Sequence, residues 1–512
     1  MLAKTFGSAV YGVDASIITI EVNVGPGTKF FMVGLPDSAV KESEQRVESA
    51  LKQNGFMMPR QKVIVNLAPA DIKKEGSSYD LPIALGILEA SGQVVSENLN
   101  EYLIMGELAL DGQLRPITGA LPIAIEARKR GFKGFILPKE NASEAAIVDN
   151  LNVLGASSIT EAIDHLTGTK QIEPLHYDTR DVFYDNLNGY EADFANVQGQ
   201  ENIKRALEIA AAGGHNVIMV GPPGAGKTML AKRLPSILPP LGLHEALETT
   251  KIHSVAGKLS PNSSLISIRP FRSPHHTISD VALVGGGGIP QPGEISLANN
   301  GVLFLDELPE FKRTVLEVMR QPLEERKVTI SRARVSVDYP ANFMLIASMN
   351  PCPCGYYNHP EKECVCGPGV VQRYLNKVSG PLLDRIDLHV EVTPVSFDQM
   401  TADRNAESSE QIRERVIRAR EIQSKRFEGH ENTFHNAMMS SQKLKEVCQI
   451  NEAGKKLLKT AMEKLGLSAR AYDRILRVSR TIADLAGKDD IMIEHLAEAI
   501  QYRSLDRENW AG

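Results

Sequence analysis

The chain has 512 residues, and 57 Lys and Arg against 63 Asp and Glu leave a formal net charge of −6. That length holds about two to four domains with substantial cores and excludes a single small module. Hydrophobic residues at 42% and charged residues at 23% lie near globular averages, which excludes wholesale disorder, collagen-like repeats and a coiled-coil composition. The slight acidity argues against a basic nucleic-acid coat but leaves room for a local basic element. MLAKTFGSAVYGVDASIITIEV at the start has no basic stretch followed by a long apolar run, and no run of about 18 apolar residues occurs elsewhere. The chain therefore reads as cytoplasmic, without membrane contact. Five cysteines are too few for a disulfide framework of this size.

Residues 1–168 mix β-rich runs such as Val63–Leu67 with helical patterns such as Leu81–Ala90, an α+β domain. The stretch 169–190 has little periodicity and several Asp and Asn, as an exposed linker does. In 191–397 a helix pattern (Glu201–Ala212) precedes an apolar strand (Asn216–Val220), a Gly-rich turn and another helix. Further strands are expected at Val302–Leu305, Phe343–Ala347 and Leu388–Val392. Apolar strands alternating with helices predict an α/β core with a parallel sheet covered on both faces. Residues 398–512 read as an all-helical domain, with helices at Glu410–Phe427, Asn451–Leu465, Ala469–Ala486 and Ile493–Tyr502.

Gly221, Pro222, Pro223, Gly224, Ala225, Gly226, Lys227 and Thr228 match G-x-x-x-x-G-K-S/T between a strand and a helix. Backbone N–H groups of such a loop converge on phosphate oxygens, Lys227 reaches the β- and γ-phosphates, and Thr228 offers its hydroxyl to Mg²⁺, so ATP and Mg²⁺ are the expected ligands. The strand Val302–Leu305 ends in Asp306 and Glu307, where the first carboxylate can hold Mg²⁺ and the second can polarise a water. Asn350, after the third strand, is placed to orient that water; alone it would read as a turn residue.

DFANVQGQ (Asp193–Gln200), GPPGAGKT, GVLFLDE (Gly301–Glu307), the strand ending in Asn350 and LLDRIDLHVEV (Leu382–Val392) resemble the magnesium-chelatase-like branch of AAA+ ATPases. VNLAPAD (Val65–Asp71), YDLPIALGIL (Tyr79–Leu88), RPFRSPHHTISDVALVGGG (Arg269–Gly287) and SARAYDRILRVSRTIADLAG resemble the YifB/ComM family essentially end to end. The resemblance implies an AAA+ P-loop core with a C-terminal helical lid, assembled as a homo-hexamer that drives DNA branch migration in natural transformation or recombination. It implies that Arg385 is an arginine finger entering the neighbouring subunit's site and that Arg470 is a sensor coupling nucleotide to lid; for both, a surface ion pair is the alternative. Met105–Asn141 is similar to the proteolytic domain of Lon proteases, but Leu121 stands where the lysine of the Ser-Lys dyad belongs and Ser78 lacks the expected neighbours. A serine without its base is a weak nucleophile, so a degenerate, non-proteolytic Lon-like domain is expected.

Glu325–Pro340 alternates apolar and polar residues around a basic tip, as a hairpin would. From Lys312 to Arg334 there are seven basic and three acidic residues. In related ring helicases the corresponding hairpin projects a basic residue into the pore, so Arg332 and Arg334 are the expected DNA contacts, with a solvated hairpin as the alternative. Asp280–Gly293 would be a second pore insertion. His275 and His276 read as packing residues, and the Arg413, Arg415, Arg418 and Arg420 series as a solvated helix face. Cys352, Cys354, Cys364 and Cys366 fall within fifteen residues in a Pro- and Gly-rich loop. They could fix Zn²⁺ and staple that loop, with His359 as a substitute ligand; free thiols are the alternative. Two rival functions stay open, a chelatase-type motor and a protein-remodelling ring without DNA helicase activity.

Overall fold

The computed structural model describes residues 1–176, 192–259, 265–287, 290–332, 335–357, 359, 361–367, 369–394, 406–430 and 433–503. Most of the expected 169–190 linker, and Arg334, fall outside these. The N-terminal part is a seven-stranded mixed sheet. Its strands are β1 (Leu2–Tyr11), β2 (Asp14–Gly25), β3 (Phe30–Val33), β4 (Lys62–Ala68), β5 (Tyr102–Ile104), β6 (Gly134–Pro138) and β7 (Asn152–Ala156). They lie in the order β3-β4-β2-β1-β5-β6-β7. Ile18, Ile20, Val22 and Val24 alternate inward along β2, and helices α1 (Asp80–Ala90) and α2 (Ala120–Lys129) cover that face.

The second sheet is the α/β core. Strands β8 (Val217–Val220), β9 (Phe271–Arg272), β10 (Val302–Leu305), β13 (Met344–Met349) and β14 (Leu388–Glu391) run parallel in the order β9-β10-β13-β8-β14. VIMV and VLFL in β8 and β10 are buried at every position, as strands sandwiched between layers must be. Val220 pairs with Met349 and Leu305 with Ala347, so the chain leaves β8, β10 and β13 along one edge. Helices α3 (Glu201–Gly213) and α4 (Lys227–Arg233) flank β8. Strands β11 (Lys327–Arg332) and β12 (Val335–Pro340) form the expected antiparallel hairpin immediately before β13.

Helix α5 (Leu243–Val255) crosses back to the first sheet: Leu241 and Ala246 belong to the N-terminal core, and Ser254 donates to the buried Glu144 carboxylate. Burial raises the pKa of Glu144, opposed by Ser254 and the Leu121 N–H. The C-terminal helices are α6 (Ser409–Arg426), started by a Ser408/Gln411 capping box, α7 (Glu452–Leu465), α8 (Ala469–Leu485), started by Ser468, and α9 (Ile493–Gln501). They share one apolar core with α3 and the adjoining face of the second sheet. The arginine series on α6 is only in part the solvated face that its charge alternation suggests: Arg418 is exposed, whereas Arg415 and Arg420 are engaged. Arg415 bridges Glu208 and Glu407, and Arg420 reaches inward to donate to the Ala211 carbonyl, so both tie α6 to α3. Ser78 does not cap α1, whose N-cap is Tyr79 without a side-chain bond.

Asp387 fastens the helical part to the sheet. Fully buried, it accepts from the Asn216 N–H at 2.9 Å and from Arg474 of α8 at 2.8 Å, with His215 at 3.6 Å. Burial alone would raise its pKa, but Arg474, His215 and the Asn216 N–H overcome that and hold it well below the usual carboxylate range. Its contribution to stability is therefore present above the unfolded carboxyl pKa of about 4 and is lost as pH falls below that value. Asp387→Asn should cost on the order of 3 kcal/mol, because Arg474 loses its buried counter-charge. Denaturant unfolding at pH 7 measures the loss, and the difference from wild type should shrink on acidification.

Candidate nucleotide site

The three chain exits at the C-terminal edge of the second sheet meet around a cleft of about 410 Å³ lined by Gly224, Lys227, Thr228, Asp306, Glu307 and Asn350 among others. After β8 the loop turns through Gly224 (φ +78°) and Gly226 (φ +83°), a left-handed backbone that side chains disfavour, and α4 begins at Lys227. The Lys227 side chain is 8% exposed. Its Nζ donates to the carbonyls of Gly221 at 2.7 Å and Pro222 at 2.9 Å and to Asn350 Oδ1 at 3.2 Å. Burial pulls its pKa down, and the carboxylates of Asp306 and Glu307 oppose the shift.

Thr228 Oγ1 donates to Asp306 at 2.7 Å, and the Ser348 hydroxyl donates to the other carboxylate oxygen. A hydroxyl and a carboxylate side by side beneath a phosphate loop are the donor set Mg²⁺ uses, so the residues fit that ion. Glu307 has φ +54°, an uncommon backbone for a non-glycine residue and a form of strain that collects at functional sites. The residue lines the cleft, and its carboxylate lies 3.6 Å from His276 Nδ1.

Arg385 and Arg470 are not among the residues around this cleft. Arg385 is 7% exposed, donating to the Pro381 carbonyl at 2.6 Å and paired with Glu324 at 2.5 Å. Arg470 is exposed at the start of α8, with Nη1 3.5 Å from Asp384. The two arginines thus occupy one neighbourhood, on either side of Asp384.

The four clustered cysteines come together. Cys352 Sγ lies 3.3 Å from Cys354 and 3.7 Å from Cys364, Cys354 lies 3.5 Å from Cys364, and all four sulfurs, Cys366 included, fall within 4.8 Å of one another. A tetrahedral zinc with bonds of about 2.3 Å sets its sulfurs about 3.8 Å apart, so the residues fit Zn²⁺. His359 stays outside this set: its Nδ1 accepts from the N–H groups of Glu361 and Lys362. Cys448 is buried, and its thiol is pushed up to about 12 by burial.

At the hairpin, Arg332 closes β11. The basic surplus leading to it is partly neutralised: Lys327 pairs with Asp338 at 2.8 Å, Arg320 with Glu317, and Arg326 turns inward to the Phe343 carbonyl. Tyr339 donates to the Pro290 carbonyl at 2.7 Å, so the hairpin is braced against the 280–293 insertion. In the N-terminal part Leu121 is fully buried, and its N–H is bound by Glu144.

Two residues beside the nucleotide cleft carry more than their sequence signals. Gln200 Nε2 donates to the Ala225 carbonyl of the phosphate loop at 2.8 Å, anchoring the loop from α3. His276 stacks with His275 at 4.1 Å between centroids and faces Glu307. The only sequence signal for His276 is its place just after the short β9, since nothing in a His-His pair names a carboxylate thirty residues away.

Comparison with known proteins adds the lineage. Family models match in three consecutive stretches: "Subunit ChlI of Mg-chelatase" over 20–141, "Magnesium chelatase, subunit ChlI" over 193–400 and "Magnesium chelatase, subunit ChlI C-terminal" over 406–503. Competence protein ComM of Haemophilus influenzae is 46% identical over 510 residues, 99% of this chain and 98% of its own. The uncharacterized protein YifB of Escherichia coli is 44% identical over 98% of this chain and 96% of its own. Lon protease 2 of Bacillus subtilis is 31% identical, but over only 31% of this chain and 33% of its own. No described helix is long and apolar enough to cross a membrane. With such identity along nearly the whole of both chains, the protein belongs to the ComM/YifB family of magnesium-chelatase-like AAA+ ATPases.

Proposed function

We propose that the chain is an ATP-hydrolysing motor that works as a homo-hexameric ring on DNA in the cytoplasm, as a branch-migration helicase or translocase. Its working parts are a non-proteolytic Lon-like domain (1–168), a linker (169–190), the ATPase core (191–397) and the helical lid (398–512). The observation that carries the reading is the gathering of Lys227, Thr228, Asp306, Glu307 and Asn350 around one cleft, with Arg385 and Arg470 together elsewhere. A phosphate site whose arginines lie outside it suits completion by a neighbouring subunit.

ATP enters with its phosphates against the N–H groups of 224–228 and the N-terminus of α4. Lys227 exchanges its loop carbonyls for phosphate oxygens. Thr228 and Asp306 would hold Mg²⁺, which when bound would neutralise charge on the phosphates. Glu307 takes the proton of the attacking water, with His276 holding its carboxylate, and Asn350 orients that water. Arg385, released from Glu324 as subunits meet, stabilises charge on the phosphoryl group in the neighbouring site, and Arg470 reports the nucleotide to the lid. Cys352, Cys354, Cys364 and Cys366 would hold Zn²⁺. Arg332 and Arg334 at the hairpin tip track phosphates of single-stranded or branched DNA, a reading supported by the basic tip and by a close relative named a competence protein. The descriptions of the family models favour a second reading, remodelling of a metal-inserting enzyme, which needs no response to DNA.

Glu307→Gln should bind ATP normally and hydrolyse it roughly 100-fold more slowly; single-turnover hydrolysis beside nucleotide binding checks this, and wild-type turnover would remove Glu307 from the chemistry. Arg385→Ala should be inactive alone yet recover activity in mixed rings with Lys227→Ala, since one contributes the phosphate loop and the other the finger. Mixed rings shown to form and found inactive would count against a shared site. Arg332→Ala with Arg334→Ala should weaken DNA binding and lower the slope of log affinity against log salt by about 1.4, leaving basal ATPase intact. Unchanged affinity and slope would leave the hairpin without its role.

A further inference from the structure

The cysteine cluster is joined to the nucleotide cleft at three points. Cys352 lies two residues beyond Asn350, whose side chain accepts from Lys227. Tyr374, in the helix Val370–Leu375 that follows the cluster, is buried in the apolar cluster that also holds Met349, the residue before Asn350. Gly355, with φ +85° in the turn begun by Cys352 and Cys354, is seated on the phosphate loop: a Cβ there would lie 2.5 Å from Pro223 Cδ. Gly221, Pro222, Pro351, Gly355 and Tyr357 wall one small cavity of about 70 Å³ between the two loops.

The described part of the cysteine loop is held by turns, by local contacts such as Lys362 over the Tyr356 ring, and by the gathered sulfurs. From Asn350 to Gly369 no described residue belongs to a helix or strand, Val365 is 84% exposed, and of the cysteines in the cluster only Cys352 is buried. The four sulfurs lie within 4.8 Å of one another, with the Tyr357 N–H donating to Cys352 Sγ at 3.3 Å, and that convergence is the arrangement a tetrahedral zinc requires.

We propose that one Zn²⁺ held by Cys352, Cys354, Cys364 and Cys366 is the strut of the ATP site, pressing Gly355 against Pro223 and keeping Asn350 on Lys227, so that nucleotide affinity depends on the metal. This rests on the zinc reading above and extends it from a loop staple to a determinant of the phosphate loop's shape. The Gly355–Pro223 contact, which no spacing in the sequence announces, carries the effect of the ion beyond its own loop.

The test uses the full chain purified without added metal, with zinc measured by plasma mass spectrometry and affinity for a fluorescent ATP analogue measured at equilibrium. Wild type should carry about one zinc per chain. Cys364→Ser should lose the zinc and bind the analogue about tenfold more weakly, with faster hydrogen exchange across 221–228. Cys448→Ser, which removes the thiol outside the cluster, should change neither. Gly355→Ala cuts the strut without touching a ligand, and should keep its zinc while losing affinity. Zinc-free wild type would overturn the zinc reading and this inference together. A zinc-free Cys364→Ser with wild-type affinity would overturn the strut and leave the zinc reading standing. Should Cys364→Ser fail to fold, Gly355→Ala decides alone: unchanged affinity and exchange there would overturn the strut.

Discussion

A buried ammonium must be given oxygen partners, and the way Lys227 is supplied with them explains the geometry of this site. An isolated charge at that depth would cost several kcal/mol. Two carbonyls come from the loop after β8, and one amide oxygen comes from Asn350 after β13. These can converge only if β8 and β13 are parallel neighbours ending in register, as the pairing of Val220 with Met349 makes them. Leu305 opposite Ala347 then delivers Asp306 to Thr228 and Ser348. On the proposed reading a phosphate would replace the carbonyls as the partner of an ammonium already in place.

The strand that leads into Asn350 is separated from the end of the hairpin by three residues. β13 is six buried residues, apolar but for Ser348, between the base of the hairpin on one side and the lysine's partner on the other. A rigid strand of that kind is a physical route by which nucleotide state and hairpin position can be linked. The hairpin has two further contacts: Tyr339 with the 280–293 insertion, and a core shared with Val13 of the β1–β2 turn. The N-terminal part is therefore in touch with the hairpin as well as with α5, and the helical part is fixed to the sheet through Asp387 and Arg474.

Where the information was local, the sequence was easy to read. The phosphate loop, the strand ending in Asp306 and Glu307, the hairpin and the C-terminal helices depend on neighbours a few residues apart, and they fall where periodicity and turn chemistry put them, within a residue or two at the helix ends. Contacts made at long range were not legible. Arg415 and Arg420 alternate with glutamates as a solvated face does, yet their partners are on α3, some two hundred residues earlier. The partner of Gln200 is a loop carbonyl, that of His276 is Glu307, and that of Gly355 is a proline ring; none has a spacing signature. Arg385 carries a motif that resembles an arginine finger, and nothing in that motif announces its burial against Glu324.

The central claim is that this nucleotide site powers movement on DNA. The most direct measurement is ATP turnover by the full chain with and without a forked duplex, followed in the same reaction by release of one labelled strand. The account predicts that the fork accelerates hydrolysis and that strands separate only while ATP is hydrolysed. Hydrolysis indifferent to DNA, with the fork intact, would contradict it.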